Sequence, residues 1–315
     1  MKTAYHAPAP VAGFAARVGR ILAPTDFSPI SRAAVNATVA MLEGNPEASL
    51  TLLHVVDTVE PEEGDDPACE ALHRHTLASR VNHADRRMKE LRAEYGDRSG
   101  LESRIIAGQA ARTICDIARD ESYDLIVMSS HGHAGLARII IGSVAEQVVQ
   151  EAPCAVLVAK PPKNQAGEFV LGPVPLKFAR LLVGYDHRAG SRHALDMARE
   201  LAETEDSQIT LVHALQPAPL LPDCPADPQA RAELLQEALD KLAAVRSRRL
   251  PAAENWTLRV EVGEPWDVIV RIAKETCSDL IVVGPHEHTR WGHCYVGSTA
   301  QRVVRRASCP VLVVK

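Results

Sequence analysis

The segment Asp124-Leu-Ile-Val-Met-Ser-Ser-His-Gly132 recurs later in the chain as Asp279-Leu-Ile-Val-Val-Gly-Pro-His-Glu287. Two further pairs of matching segments follow at the same offset of 155 residues: Gly142-Ser143 with Gly297-Ser298, and Glu151–Lys160 with Arg306–Lys315. A repeat of this length corresponds to a whole domain, because solenoid units span only roughly 20 to 50 residues. The sequence therefore predicts two copies of one domain.

The length of 315 residues suits two domains of about 150 residues, each large enough for its own core. We expect four segments: an N-terminal extension (1–17), a first domain (18–160), a polar linker rich in helix breakers (161–177) and a second domain (178–315). The content of 46% hydrophobic and 24% charged residues is typical of a globular protein.

Composition also narrows the classes of function. No apolar run approaches the roughly 18 residues of a membrane helix, and residues 1–17 lack the continuous apolar stretch of a signal peptide. A net charge of −5 and only 4% aromatic residues argue against nucleic acid as the main partner. Seven scattered cysteines without a Cys-x-x-Cys pair indicate reduced thiols. We expect a cytoplasmic protein.

Strand and helix patterns alternate along both copies. Ser28-Pro29 is a typical helix start, with serine as the N-cap and proline in the first helical position. Strands such as Leu50–Val56 are continuous apolar runs, which indicates that helices cover both faces of the sheet. The predicted fold class is therefore α/β, with two tandem doubly wound parallel-sheet domains.

Polar residues of the first copy converge where the predicted strands end. Asp26 follows the first strand, His54-Val55 ends the second, and Ser129–Gly132 follows the fourth. Ligands of parallel sheets bind at this edge, at the switch in strand order. The free N–H groups of a helix that starts at Gly142-Ser143 suit a phosphate. The carboxylate of Asp26 can accept a hydrogen bond from a ribose hydroxyl or an adenine amine, and the backbone of Val55 can read a base edge.

These residues resemble those of the universal stress protein family. Its nucleotide-binding members carry Gly-x2-Gly-x9-Gly-(Ser/Thr) after the fourth strand and an aspartate after the first. The resemblance also includes the Leu-His-Val pattern of the second strand and the closing Pro-Val-Leu-Val-Val strand, and it covers about 18–160 and 178–315. It implies a Rossmann-like, adenine nucleotide α-hydrolase-like fold and an ATP-binding role in stress response, and it leaves open whether magnesium accompanies ATP.

The resemblance also implies how the two halves pair and which residues of the first copy bind the nucleotide. The two halves are expected to pair through their last strands, and further homodimerisation is left open. The implied nucleotide-binding residues are Pro24, Thr25, Asp26, Val55, Ser129, His131, Gly132, Gly142, Ser143 and Val144. Ser129 stands where the family motif has its first glycine. Serine is small and its hydroxyl can meet a phosphate, so we expect this change to weaken binding at most.

The second copy departs further from the motif. Glu287 replaces the second glycine, and a carboxylate beside a polyphosphate costs about 1 kcal/mol in water and several in a partly buried site. Tyr185 replaces the small Thr25, and Trp291 enters the loop. We expect a site that is altered or degenerate for ATP, or that takes another ligand. Its candidate residues are Asp186, Ala214, Gly284, Gly297, Ser298 and Thr299.

Structural explanations exist for many of these residues. Asp26 and Asp186 can be turn residues at strand ends, and His131 and His286 can make structural hydrogen bonds. His54 and His213 follow apolar runs and are expected to be core histidines with a satisfied hydrogen bond. The charges of the long helix are expected on a solvated face: Arg86, Arg87, Lys89 and Glu90.

Two other classes of function stay open. An enzyme acting on the nucleotide would share the fold, but the chain has no Walker A motif and no Gly-x-Ser-x-Gly elbow, so we expect at most slow ATP hydrolysis. A sensor of metal or of an apolar ligand would use the second copy. The residues considered for metal match no paired zinc pattern: His286, His288, His293 and Cys294. An apolar ligand would instead use the apolar segment 215–222.

Overall fold

The computed structural model describes residues 18–43, 45, 47–58, 67–96, 98–130, 141–160, 178–203, 207–216, 228–249, 255–285 and 296–315. The predicted N-terminal extension and linker lie outside these ranges. So do His131 and Gly132 of the predicted first site, and 286–295, which hold Glu287, Trp291 and the histidines and cysteine considered for metal. Most of the apolar segment 215–222 lies outside them as well.

Strands and helices alternate as predicted in both halves. The first half contains β1 (Arg20–Pro24), α1 (Pro29–Glu43), β2 (Ser49–Asp57), α2 (Pro67–Ala93), β3 (Leu101–Gly108), α3 (Ala110–Asp120), β4 (Leu125–Ser129), α4 (Ser143–Glu151) and β5 (Ala155–Ala159). The second half contains β6 (Arg180–Gly184), α5 (Ala189–Glu203), β7 (Gln208–Leu215), α6 (Pro228–Arg249), β8 (Trp256–Val262), α7 (Pro265–Glu275), β9 (Leu280–Val283), α8 (Ser298–Arg306) and β10 (Val311–Val313).

All ten strands form one sheet in the order β3-β2-β1-β4-β5-β10-β9-β6-β7-β8. Strands within each half are parallel, whereas β5 and β10 pair antiparallel. Leu157 faces Leu312 in that pair. These two leucines are repeat equivalents, so a local two-fold axis passes between them. The contact between the halves is therefore self-complementary, as in a symmetric dimer.

Helices cover both faces of the sheet, which explains the uniformly apolar strands. In the first half, α1 and α2 pack on one face, through buried residues such as Val39 and Met88. The opposite face is covered by α3 and α4, through residues such as Ile114 and Val148. The fold class predicted from the sequence is confirmed.

The aspartate that opens each copy of the repeated motif has a structural role. The Asp124 carboxylate accepts hydrogen bonds from the backbone N–H groups of Gly19 (2.9 Å) and Arg20 (2.8 Å). In the second half, the Asp279 carboxylate accepts one from the N–H of Arg180 at 3.1 Å. Each aspartate thus fixes the start of the first strand of its half beside the fourth.

The repeat-equivalent lysines Lys160 and Lys315 each contact the opposite half. The ammonium group of Lys160 donates hydrogen bonds to the carbonyls of Val304 (2.5 Å) and Ala307 (2.7 Å), at the C-terminal end of α8. The ammonium group of Lys315 donates to the carbonyls of Val149 (2.9 Å) and Gln150 (3.2 Å), at the end of α4. The last carbonyls of a helix lack partners within the helix, so each lysine caps the helix of the opposite half.

The predicted start of α1 is confirmed in detail. The hydroxyl of Ser28 accepts a hydrogen bond from the N–H of Ser31 at 3.2 Å, which is the geometry of an N-cap. Within the described ranges, no helix is both long and apolar enough to cross a membrane.

Candidate functional site

A cavity of about 900 Å³ opens at the carboxyl ends of β1, β2 and β4 in the first half. It lies where β1 has β2 on one side and β4 on the other, which is the switch in strand order. Every predicted first-half residue that the structure describes lines it: Pro24, Thr25, Asp26, Val55, Ser129, Gly142, Ser143 and Val144. Its volume is within the usual range for a small-molecule site.

The turn after β1 is fixed by short-range hydrogen bonds. The N–H of Thr25 donates to the carbonyl of Leu53 at 2.8 Å, and its hydroxyl accepts from the N–H of Phe27 at 3.0 Å. The carboxylate of Asp26 accepts from the N–H of Ser28 at 3.0 Å. This Asx-type turn holds a half-buried carboxylate at the wall of the cavity.

His54 joins the end of β2 to the same turn. Its Nδ1 lies 2.7 Å from the carbonyl of Thr25, and since a carbonyl only accepts, Nδ1 must donate. Its ring lies against Phe27, with centroids 4.4 Å apart. Burial lowers the pKa of His54 below its usual 6.5, although Asp26 and Asp57 oppose the shift. The predicted structural hydrogen bond of His54 is therefore present, but the side chain is half-buried and lines the cavity instead of lying in the core.

The repeat-equivalent His213 behaves in the same way. Its Nδ1 donates to the carbonyl of Tyr185 at 2.8 Å. The ring of His187 lies 5.0 Å from that of His213, in the place where the first half has Phe27 beside His54. Both halves therefore use the histidine of the second strand to hold the turn after the first.

The N-terminus of α4 offers uncapped N–H groups to the cavity. Gly142 is the N-cap residue, and no side chain hydrogen bonds to the cap. The backbone of Gly142 is extended, with φ of −64°, and a Cβ placed there would come no closer than 3.7 Å to another atom of the described residues. Within that part of the chain, neither backbone conformation nor packing therefore requires glycine at this position.

The side of α2 that faces the cavity is basic. Arg80, His83, Arg86 and Arg87 line it together with Ser79 and Ala84. The expectation of a solvated face holds for Lys89 and Glu90, which are exposed. It also holds for Arg86, which is exposed although it borders the cavity. It is wrong for Arg87, which is half-buried because the packing of α2 beside β2 brings its guanidinium to the carbonyl of Phe27.

The second half places its candidate residues at matching positions. Asp186 follows β6, Ala214 lies in β7, Gly284 follows β9, and Gly297 is the N-cap of α8, which opens with Ser298 and Thr299. Asp186 differs in its surroundings, because its carboxylate lies 4.0 Å from the guanidinium of Arg188. The first half has Ser28 at that position, without a charge.

Gly284 is required by packing. A Cβ on Gly284 would lie 2.0 Å from the carbonyl oxygen of Gly190, and a Cβ on Gly190 would lie 2.1 Å from that of Pro285. The start of α5 thus packs backbone against backbone on the end of β9. This contact explains the glycine of the second half without a ligand.

The described cysteines form no disulfides, and burial raises the pKa of several of their thiols. Burial raises the pKa of the Cys154 thiol to about 12 and that of Cys309 to about 11. These repeat equivalents are thus neutral thiols near neutral pH. In the described part of the chain, no three His, Cys, Asp or Glu side chains come together as metal ligands.

Comparison with known proteins identifies the family of both halves. The model of the universal stress protein family matches residues 17–160 and 177–315. Universal stress protein MJ0531 of Methanocaldococcus jannaschii is 32% identical over 150 residues, which are 46% of this chain and 84% of that protein. A universal stress protein of Mycolicibacterium smegmatis is 26% identical over 300 residues, 94% of this chain and 96% of its own length.

A solved structure extends the likeness to the whole fold. The universal stress protein from Archaeoglobus fulgidus superposes with a TM-score of 0.55 at 18% identity, covering 94% of this chain and 96% of that chain. The repeated sequence, the shared sheet and the two family matches agree with one another. The chain belongs to the universal stress protein family and carries two of its domains in tandem.

Proposed function

We propose that this chain is a cytoplasmic, ATP-binding regulatory protein of the stress response, with the nucleotide in the first half. The observation that carries the proposal is the convergence of three features in one cavity. They are the carboxylate of Asp26, the backbone of β2 at Val55 and the uncapped start of α4 at Gly142. The carboxylate and the strand backbone can form hydrogen bonds with an adenosine moiety. The N–H groups at the helix start suit a polyphosphate.

The adenosine lies at Asp26 and Val55 in this proposal, with Pro24 and Thr25 shaping the turn. The phosphates lie against the N–H groups at Gly142, Ser143 and Val144, and beside the hydroxyl of Ser129. His131 and Gly132 complete the phosphate loop by their place in the motif. The hydroxyls of Ser129 and Ser143 are suitable oxygen ligands if magnesium accompanies the phosphates.

The glycine at position 142 supports the placement of the phosphates at the start of α4. Glycine is normally retained where the backbone is left-handed, where another group packs closely, or where a ligand approaches the backbone. As far as the described residues go, the first two reasons do not hold at Gly142. Approach of a phosphate to the helix start is the remaining one.

The second half is proposed to be silent toward ATP. Asp186 is paired with Arg188, and Gly284 is used for packing on α5. Glu287 adds a carboxylate at the position of a motif glycine. Through the β5–β10 contact, the two halves form an internal equivalent of a symmetric dimer.

The test is calorimetric binding of ATP, with and without magnesium, to the intact chain and to two matched variants. Gly142→Asp puts a carboxylate where the phosphates are proposed, and Gly297→Asp makes the same change in the second half. We expect ATP affinity to fall at least ten-fold for Gly142→Asp and to stay unchanged for Gly297→Asp. Circular dichroism checks that both variants fold.

Two results would contradict the proposal. The first is the absence of ATP binding by the intact chain, together with the absence of nucleotide released on denaturing natively purified protein. The second is an equal loss of affinity in both variants, or a loss confined to Gly297→Asp. Release of inorganic phosphate in the same samples measures whether the bound ATP is hydrolysed.

A further inference from the structure

Four side chains of α2 form a basic wall on the cavity: Arg80, His83, Arg86 and Arg87. Positions 80, 83 and 87 recur at the spacing of one helix face, and position 86 lies beside them. This α2 basic wall is no part of the glycine motif or of the aspartate turn. The proposed ATP site leaves it without a ligand group.

Two of the arginines are held in place by backbone carbonyls. Arg80 donates a hydrogen bond of 2.8 Å to the carbonyl of Asp57, and Arg87 donates one of 3.1 Å to the carbonyl of Phe27. The guanidinium of Arg87 also lies 5.2 Å from the centre of the Phe27 ring. A guanidinium carries several N–H donors, so both side chains are positioned and keep donors for another acceptor.

No carboxylate of the described residues forms an ion pair with these three arginines. Two carboxylates, of Asp26 and Asp57, also line the cavity, but they come from the sheet side at the ends of β1 and β2. Among the described residues, the α2 side of the cavity therefore carries three arginines without an ion-paired carboxylate, in a chain whose net charge is −5. This wall favours an anionic group on the ligand.

The basic wall and the start of α4 lie on opposite sides of the cavity. Helix α2 covers one face of the sheet, whereas α4 covers the other. The bond from Arg80 to Asp57 places the wall at the end of β2, two residues beyond Val55. It thus flanks the adenosine part of the proposed ligand, while the 5′-phosphates belong at α4.

We propose that the α2 basic wall binds a second phosphate, carried on the ribose of an adenine nucleotide. Adenine has no anionic group, and the ribose 2′- and 3′-hydroxyls are the other places where adenosine can carry one. The ligand class is then an adenine nucleotide phosphorylated at the 5′ position and on the 2′ or 3′ oxygen. This inference rests on the proposed function, because it uses the same cavity and orientation.

The test compares ligands that differ by one phosphate. Calorimetry measures AMP against adenosine 3′,5′-bisphosphate and adenosine 2′,5′-bisphosphate, with ATP as the reference. Proteins are the intact chain, the Arg80→Gln/Arg86→Gln variant, and a Lys89→Gln/Arg92→Gln variant with the same loss of charge. Lys89 and Arg92 are exposed on α2 and do not line the cavity.

We expect one bisphosphate to bind the intact chain about ten-fold more tightly than AMP, as charge-assisted hydrogen bonds to phosphate allow. That advantage should shrink to about two-fold or less in Arg80→Gln/Arg86→Gln and persist in Lys89→Gln/Arg92→Gln. Raising the salt concentration should reduce the advantage of the bisphosphate in the intact chain.

The outcomes separate the two proposals. Binding of ATP and AMP without any gain from either bisphosphate overturns the inference and leaves the proposed function standing. A gain that survives in Arg80→Gln/Arg86→Gln, or is lost equally in the control variant, also overturns it. If no adenine nucleotide binds, the proposed function fails and the inference fails with it.

Discussion

Phe27 and His187 share a backbone conformation that few large side chains adopt. Their φ angles are 62° and 64°, in the left-handed region, and each follows the aspartate at the end of the first strand of its half. Such residues cost of order 1–3 kcal/mol and persist where their surroundings hold them. In the first half, His54 and Arg87 contact Phe27. Those contacts keep the turn sharp and Asp26 at the cavity.

His54 makes folding stability depend on pH. Burial lowers its pKa in the folded state, so the unfolded chain takes up a proton first as the pH falls. The contribution of neutral His54 is fully present above its ordinary pKa of 6.5 and is lost below it. We predict that the free energy of unfolding decreases from pH 7 to pH 5, with a slope from this group of at most about 1.4 kcal/mol per pH unit.

Urea denaturation of the intact chain and of His54→Gln across that range measures the contribution. The glutamine amide can still donate to the carbonyl of Thr25 but does not titrate. The variant should therefore lose less stability on acidification than the intact chain. Because His187 is present in both proteins, its own lowered pKa cancels. Equal slopes would mean that His54 has the same pKa in the folded and the unfolded chain, which contradicts the prediction.

At the scale of elements, the two halves differ in how their first helix meets the end of the fourth strand. The second half brings α5 onto β9 through Gly190 and Gly284, which leaves no room for a Cβ. The first half has Ile30 and Ser129 at the equivalent positions, and both are buried. The same pair of elements is thus packed by side chains in one half and by backbone in the other.

We predict that Gly284→Ala lowers the free energy of unfolding by about 1–3 kcal/mol, because the added methyl group overpacks against Gly190. The matched change Ser129→Gly removes a side chain instead, and should cost about 1 kcal/mol or less. Urea denaturation of the two variants makes the comparison. A smaller cost for Gly284→Ala than for Ser129→Gly would contradict the packing described here.

Most element positions follow from the sequence because their signals are local. Ser28-Pro29 specifies the start of α1 through a cap, and continuous apolar runs specify strands covered on both faces. The sequence predicts strand ends less well: it places His54-Val55 at the end of the second strand, whereas β2 continues to Asp57. Hydrogen bonds to the neighbouring strand decide that boundary, and they depend on residues distant in sequence.

The basic wall shows what local signals miss. Arg87 has the pattern of a solvated helix face, and only the placement of α2 beside the cavity makes it half-buried. The expected cavity residues after β1, β2 and β4 do meet, because parallel strands end at one edge. The packing role of Gly284 could not be predicted either, since it depends on Gly190 from a distant helix.

For the whole molecule, the lysines at the ends of the two halves connect them. Lys160 caps α8 and Lys315 caps α4, so each removes unpaired carbonyls from the other half. A cation near a helix C-terminus contributes about 0.3–1 kcal/mol through the helix dipole alone. The side chain of Glu146 adds an ion pair with Arg305 across the same contact.

We predict that Lys160→Met and Lys315→Met each lower the free energy of unfolding by about 1 kcal/mol or more, because buried carbonyls lose a charged donor. Lys241→Met is the control, since Lys241 is exposed and its ion pair among the described residues is with Glu237 of its own helix. Thermal and urea unfolding measure all three variants. Losses no larger than that of Lys241→Met would mean that the cross-half caps do not stabilise the contact.

The self-complementary pairing of Leu157 with Leu312 has an evolutionary consequence. When two identical chains form such a contact, every mutation appears in both subunits at once, and a site cannot be lost from one alone. Joining the subunits in one gene removes that constraint. One half can drift or acquire a new ligand while its partner keeps the original one, and their proportion stays fixed at one to one. Ser129 and Gly284 occupy equivalent positions of the two halves and are an example of residues that can differ once the halves change independently.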